Sequence, residues 1–377
     1  MKRFLGVRFF DKYLLIDRLS GKTAKITKHR FDELKDFVNS GLSRIPVWMP
    51  AYLANFMVEI PGIEEVRALF LVRQSRSNQY GKASYEITNK CNLSCLHCYR
   101  LQSEEVVPSL TIEQKKNIIE LIEQSGCLWL QLTGGEPLFC SDFIELYKYA
   151  YDLGLLLVIS SNGVRLQDQE ILELFKTRPP RRLTISLYGA SSDSYSKLTG
   201  SATAFEKVVV GLKKIKELGI CLRISIIVTK FNESELEQMV ELAKQFTSDF
   251  HVYRNISPRL NGDTSSLEVA SEGNNPELDE ECRQDCLAGK TFYNVDALGY
   301  AGICKVSRDR TVNLLNESFG SFEKLAKIAE EVMQLPAVCV SCELRVKCQT
   351  CRPMQMMYND ISEVPKSVCL ENQKFQC

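Results

Sequence analysis

A chain of 377 residues that balances 47 Lys plus Arg against 47 Asp plus Glu offers no net charge to a polyanion, so no nucleic acid partner is expected. Its longest apolar run, Leu153–Ser160 with Gly154 inside it, falls far short of the ~20 residues that span a bilayer, so no membrane partner is expected either. Lys2, Arg3, Arg8, Asp11 and Lys12 interrupt the N-terminus, which has no continuous secretory core and points to a cytoplasmic protein.

Three regions follow one another. Over residues 1–80 the pattern predicts strands at Phe4–Phe10, Tyr13–Asp17 and Thr23–Thr27, with a Ser20–Gly21 turn before the third. Helical stretches at Arg30–Val38, Pro50–Val58 and Ile63–Val72 complete a small α+β domain. Residues 81–260 then alternate strand and helix. Strands are expected at Ser84–Ile87, Leu128–Leu132, Leu155–Ser160, Leu183–Leu187, Leu222–Val228 and Phe250–Tyr253, most of them apolar enough to be covered on both faces. Thr111 with Gln114 and Asn232 with Glu235 have capping-box spacing, and Leu236, Met239, Val240 and Ala243 share one helical face. About six such units fall short of a closed eight-unit barrel, so the fold class is α/β, a partial (β/α)6 barrel. Polar residues 261–281 read as a linker, and residues 282–377 form a cysteine-rich C-terminal domain.

Fifteen cysteines beside three histidines are the compositional anomaly. A reducing compartment favours thiolate ligation over disulfides, and the scarcity of histidine leaves zinc or iron–sulfur held by cysteine. Cys91-Asn-Leu-Ser-Cys95-Leu-His-Cys98 follows the first barrel strand, at the end of such folds where chemistry is kept. Three thiolates without a fourth ligand make a poor closed zinc site but can hold three irons of a 4Fe–4S cluster, leaving one iron open to a ligand.

This spacing resembles the signature of the radical S-adenosylmethionine (SAM) superfamily, and further segments follow in the expected order. His97 takes the place of the residue that contacts the adenine. Thr133-Gly134-Gly135-Glu136-Pro137 looks like the motif that binds the methionyl amino group. Ser161 and Asn162 after the third strand, Ser186 at the end of the fourth, and Arg223 on the fifth complete the implied SAM contacts, Arg223 as partner of the SAM carboxylate. The resemblance implies reductive cleavage of SAM to a 5′-deoxyadenosyl radical that abstracts hydrogen from a substrate. It also implies an external electron donor such as flavodoxin or ferredoxin.

The tail, Cys282-x3-Cys286 and Cys304, then Cys339-x2-Cys342-x5-Cys348-x2-Cys351-x17-Cys369, is similar to the SPASM domain of peptide maturases. That resemblance implies two auxiliary 4Fe–4S clusters. One would sit on Cys282, Cys286, Cys304 and Cys351, the other on Cys339, Cys342, Cys348 and Cys369. Two spacings are tighter than usual, Cys348-x2-Cys351 and Cys282-x3-Cys286, and a zinc ribbon is the alternative.

Cys127, Cys140, Cys221 and Cys377 are left over as ordinary buried or terminal thiols, with Cys140 also a candidate hydrogen-atom donor facing the cavity. Tyr358 and Asp360 are candidate substrate-facing residues. Asp296 is a further catalytic candidate, although a turn carboxylate describes it as well.

The N-terminal domain looks like a PqqD-like module that binds a precursor peptide by strand addition. The expected function is therefore a maturase that installs an oxidative crosslink, carbon–carbon or thioether, in a ribosomally made precursor peptide. Alternatives are a sulfatase-type formylglycine maturase, a peptide epimerase and a small-molecule dehydrogenase. From other classes, a non-catalytic iron–sulfur carrier or redox sensor is disfavoured by the SAM-binding segments, and a zinc-dependent nucleic-acid binder by the neutral charge.

Overall fold

A computed structural model describes residues 2–41, 43–56, 58, 62–74, 80–100, 109–271, 286–317, 320–334, 340 and 351–353. The N-terminal domain opens with β1 (Phe4–Phe9), β2 (Lys12–Asp17) and β3 (Thr23–Ile26), followed by α1 (Lys28–Asn39), α2 (Met49–Ala54) and α3 (Ile63–Ala68). The helix expected over Ile63–Val72 stops short, and β4 (Phe70–Arg73) takes its second half. Phe70 and Val72 face the domain's own core while Leu71 faces the barrel, a period of two that a strand satisfies and a helix cannot. The sheet runs β3-β2-β1-β4, with β4 parallel to β1 and Phe70 stacked on Phe4 at 5.1 Å.

The barrel comprises β5 (Lys82–Glu86), α4 (Ile112–Gln124), β6 (Trp129–Thr133), α5 (Phe143–Asp152), β7 (Leu156–Ser161) and α6 (Gln169–Thr177). It continues through β8 (Arg182–Leu187), α7 (Ser192–Thr199), α8 (Ala204–Glu217), β9 (Leu222–Ile227), α9 (Leu236–Lys244) and β10 (Phe250–Tyr253). All six strands are parallel and pair in sequence order.

The capping box at Thr111 and Gln114 forms, with each side chain accepting the other's backbone N–H. The one at Asn232 and Glu235 does not. Asn232 instead donates to the carbonyls of Tyr188 and Ile227, and Glu235 accepts from Ser191, Ser194 and the Ala190 N–H.

The sheet does not end at β5. β11 (Phe292–Val295) joins it in parallel, and β12 (Tyr300–Gly302) and β13 (Val312–Asn313) extend it antiparallel, before α10 (Leu314–Glu317) and α11 (Ser321–Val332). The segment expected to be a linker is in part folded: Ser265–Val269 forms a helical turn, and Val269 lies in the main core. The N-terminal sheet packs Leu5, Val7 and Ile16 against Leu128 and Leu156 at the N-terminal ends of β6 and β7, and Arg18 lies over the Tyr151 ring at 3.5 Å.

Candidate active site

The barrel strands are not covered alike on both faces. In β8 the residues alternate between partly open and buried, so Arg182, Thr184 and Ser186 face inward while Leu183, Ile185 and Leu187 pack under the helices. In β9, Arg223, Ser225 and Ile227 face inward in the same way. The inward residues wall a cavity of about 630 Å³. One end holds Cys91, Cys95, His97 and Cys98, and the other holds Lys82, Arg182 and Arg223.

The three-cysteine loop leaves the C-terminal end of β5 and is held from two sides. The Gly135 N–H donates to the Thr88 carbonyl and the Glu136 N–H to that of Lys90, both at 2.9 Å. On the far side the Ser94 and Leu96 N–H groups reach the Thr199 and Leu198 carbonyls, each at 3.0 Å. The two glycines serve this contact. A Cβ on Gly134 would overlap the Thr88 carbonyl, and one on Gly135 would lie 2.6 Å from the Lys90 carbonyl carbon and 2.7 Å from the Asn89 oxygen. Asn162 Nδ2 bridges the Cys91 sulfur at 3.9 Å and Asn92 Oδ1 at 2.8 Å.

Burial, then the neighbouring thiols, push the Cys95 pKa well up; burial raises Cys91 as well, with Glu136 and Cys98 adding to it. Soft sulfur donors that oppose one another's ionisation on one loop suit a polycationic iron cluster, which stabilises the thiolates. Among the described residues, no three Cys, His, Asp or Glu side chains already stand close enough to hold a single ion.

Glu136 is buried and fully engaged. It accepts from the Leu138 N–H at 2.9 Å, and from Ser161 Oγ and the Asn162 N–H at 2.7 Å each. Burial outweighs these donors and pushes its pKa up to about 7. Pro137 begins the short helical turn behind it. The structure therefore makes Glu136 the tie between the loops after β6 and β7, a role the sequence did not disclose. His97 packs against Tyr188 at 5.0 Å, and burial lowers its pKa to about 4, so its ring is neutral at physiological pH. Its Nδ1 is buried without a hydrogen-bond partner among the described residues.

Other expected residues fall elsewhere. Arg223 lines the cavity, but at the end away from the cysteine loop, and its Nε donates to both oxygens of Asp249 at 2.9 and 3.0 Å. That geometry differs from the expected SAM-carboxylate role, because Asp249 precedes β10 and holds the guanidinium at the N-terminal end of the strands. Cys140 is in the main core, its sulfur 3.9 Å from the Ile87 carbonyl and 4.0 Å from Lys115 Nζ, and it is not part of the cavity wall. Asp296 accepts the Leu298 and Tyr300 N–H groups at 2.9 Å each, as a turn carboxylate does.

Cys304 has its pKa raised by burial and by Cys351 and Cys286, so these three thiols share one neighbourhood. Cys282, Cys339, Cys342, Cys348, Cys369, Tyr358 and Asp360 lie outside the described residues.

Glu86 is a site residue that sequence reasoning missed. It is fully buried at the end of β5, paired with Arg100 and with Arg308. Burial opposes its ionisation, but the two guanidinia prevail and hold its pKa below the usual carboxylate range. Lys82, Lys305 and Arg182, which line the cavity as Glu86 does not, were missed as well. The alternation Arg182-x-Thr184-x-Ser186 was the available signal.

Residues 85–243 match the radical SAM superfamily. The chain is similar to an AdoMet-dependent heme synthase of Methanosarcina barkeri, 34% identical over 185 residues, or 48% of this chain and 52% of that protein. It is also similar to the mycofactocin maturase MftC of Mycobacterium tuberculosis, 26% identical over 229 residues, or 58% of this chain and 56% of that protein. The chain thus spans about half the length of the curated relatives it matches. The fold is similar to that of Streptococcus suis SuiB over 98% of this chain and 99% of that one, with a TM-score of 0.60 at 15% identity. SuiB is also known bound to its precursor peptide SuiA, and in that form the TM-score is 0.58 over 97% of this chain and 98% of that one, at 16% identity.

Proposed function

Because residues 85–243 of this chain belong to the radical SAM superfamily, we propose that the protein is a maturase that oxidatively crosslinks a precursor peptide. The observation that carries this reading is the cavity, which opens at the three-cysteine loop and runs between polar walls to the far end of the barrel. When bound, SAM and a 4Fe–4S cluster supply a hydrogen-abstracting radical. This chain's own residues present Cys91, Cys95 and Cys98 to that cluster and fix their loop through Gly135 and Glu136. The neutral, half-buried His97 and the buried Tyr188 offer an aromatic face beside it.

The peptide enters the reading through the N-terminal domain. β3 is a half-exposed edge strand that pairs only with β2 among the described residues, and its other side suits an extended segment added as a strand. The likeness in fold to SuiB includes this domain. Cys282, Cys286, Cys304 and Cys351 would hold one auxiliary cluster, consistent with the shared neighbourhood of three of them. Cys339, Cys342, Cys348 and Cys369 would hold the other. In the crosslink the peptide loses a hydrogen atom, a proton and an electron and gains one bond. An auxiliary cluster held by these cysteines would offer an acceptor for that electron, and an external donor such as flavodoxin or ferredoxin would supply the reducing electron. The similarity to a heme synthase favours, as a second reading, oxidation of a small molecule in the same cavity.

The test is the mass of a short peptide encoded beside the gene after anaerobic co-expression in deuterated water. A variant carrying Cys91→Ala, Cys95→Ala and Cys98→Ala serves as control. A loss of two hydrogens that disappears with the variant supports the crosslink. Deuterium fixed at one alpha carbon with no other change would replace it with epimerisation, and an unchanged peptide would remove that peptide as substrate.

A further inference from the structure

The cavity that opens at Cys91, Cys95 and Cys98 ends on Lys82, Arg182 and Arg223, and Lys305 stands in its wall near Lys82. Lys82 begins β5, Arg182 begins β8 and Arg223 is the second residue of β9, so parallel pairing sets all three at the N-terminal ends of their strands. They lie close enough that partial burial, with Arg182 and Arg223 adding to it, pushes the Lys82 ammonium below its usual pKa. Asp249 accepts Arg223 and stands 3.5 Å from His251. Arg182 keeps its Nε buried with no hydrogen-bond partner, and neither it nor Lys82 has an ion pair among the described residues. Like charges gathered in a partly dehydrated recess raise one another's energy unless an anion joins them.

We propose that Lys82 and Arg182, beside the Asp249-paired Arg223, form an anion subsite that takes a carboxylate of the substrate. On the peptide that carboxylate is an acidic side chain or the C-terminus. Asp249 already occupies Arg223, which leaves the ammonium of Lys82 and the planar fork of Arg182 for the ligand, a pairing suited to a carboxylate. The subsite would anchor the substrate at the end of the cavity opposite the cysteine loop and so set which residue reaches that loop. Only the identity of the carboxylate's carrier rests on the maturase reading.

The test uses full-length protein, reconstituted anaerobically with its clusters and SAM. It is titrated with glutarate and with inorganic phosphate, in parallel with Arg182→Gln and Lys82→Gln. Lys82 stands at the exposed rim, so its variant serves if Arg182→Gln folds poorly. Glutarate should bind saturably, weaken about tenfold in each variant through loss of one charge-assisted contact, and leave SAM affinity unchanged. Glutarate binding insensitive to both variants overturns the proposal. So does phosphate that binds as tightly and weakens in step, which would mean an adventitious ion only. SAM affinity that falls with either variant overturns it too, by assigning the cations to SAM itself.

A second arm follows turnover of the peptide with each Asp and Glu changed to its amide and with its C-terminus amidated. One such change should raise KM about tenfold at constant kcat. If none does while the peptide is still modified, the proposal fails. If wild-type protein leaves the peptide untouched yet binds glutarate through Lys82 and Arg182, the maturase reading fails and the anion subsite stands.

Discussion

Glu86, the last residue of β5, and Arg308, on the segment after Cys304, are joined by an ion pair of 2.5 Å. Arg100, just beyond Cys98, holds the other oxygen of the same buried carboxylate. One side chain thus ties the three-cysteine loop to the segment that follows Cys304. Glu86→Ala leaves two guanidiniums facing a dry site and should destabilise the protein by about 3–5 kcal/mol in urea unfolding. Because the folded state holds the Glu86 pKa below its ordinary value, its stabilisation is complete above that value and is lost as pH falls through the lower one. Glu86→Gln should therefore flatten the acid limb of stability. An unchanged acid limb would rule the clamp out.

Glu136 titrates in the opposite sense. Its pKa in the folded, ligand-free chain is raised to about 7, so stability is greatest below the ordinary carboxylate value and falls as pH rises toward 7. The fall should approach roughly 3 kcal/mol and then level off. Subtracting the pH profile of Glu136→Gln from that of the natural protein isolates it. A difference profile without slope between about pH 5 and 7 would mean that the carboxylate is ionised throughout.

Gly135 offers a steric test. The atoms a Cβ would strike are backbone, and backbone cannot rotate away. Gly135→Ala should shift the cysteine loop, lower stability by about 1–3 kcal/mol and reduce the iron bound per chain after reconstitution. Full iron loading together with an unchanged unfolding midpoint would contradict the close approach.

Arg73, at the end of β4, reaches out of the N-terminal domain to Glu123 at 2.5 Å and to the Gly154 carbonyl at 3.4 Å. Arg73→Met should cost about 3–5 kcal/mol, since it leaves Glu123 without this partner. The two tryptophans divide the report: Trp48 packs in the N-terminal core and Trp129 against the barrel-facing cluster. In single-tryptophan versions of the variant, Trp48 should unfold at lower urea than Trp129. Coincident transitions would mean that Arg73 does not set the docking.

Local chemistry was legible in the sequence, and long-range chemistry was not. The Thr111 cap depends only on Gln114 three residues on, and it formed. The matching pair at Asn232 and Glu235 was claimed by Ser191, Ser194 and Tyr188, which belong to other elements. Phe70–Arg73 is too short for periodicity to separate strand from helix, and its pairing with β1 decided the matter. The three-cysteine loop was plain from spacing, whereas what Gly134 and Gly135 approach could be seen only once that loop lay against them. β11 pairs with β5 across most of the chain, and no local signal announces such a contact.

The alternation of β8 and β9 separates two demands that a protein usually makes of the same residues. Leu183, Ile185, Leu187, Leu222, Ile224 and Ile226 point into the core and answer for folding. Thr184 and Ser225, between them, point into the cavity. A lineage can therefore exchange the second set, one residue at a time, and explore new substrates while the first keeps the scaffold intact. The barrel wall is in that sense an interchangeable lining on a fixed frame.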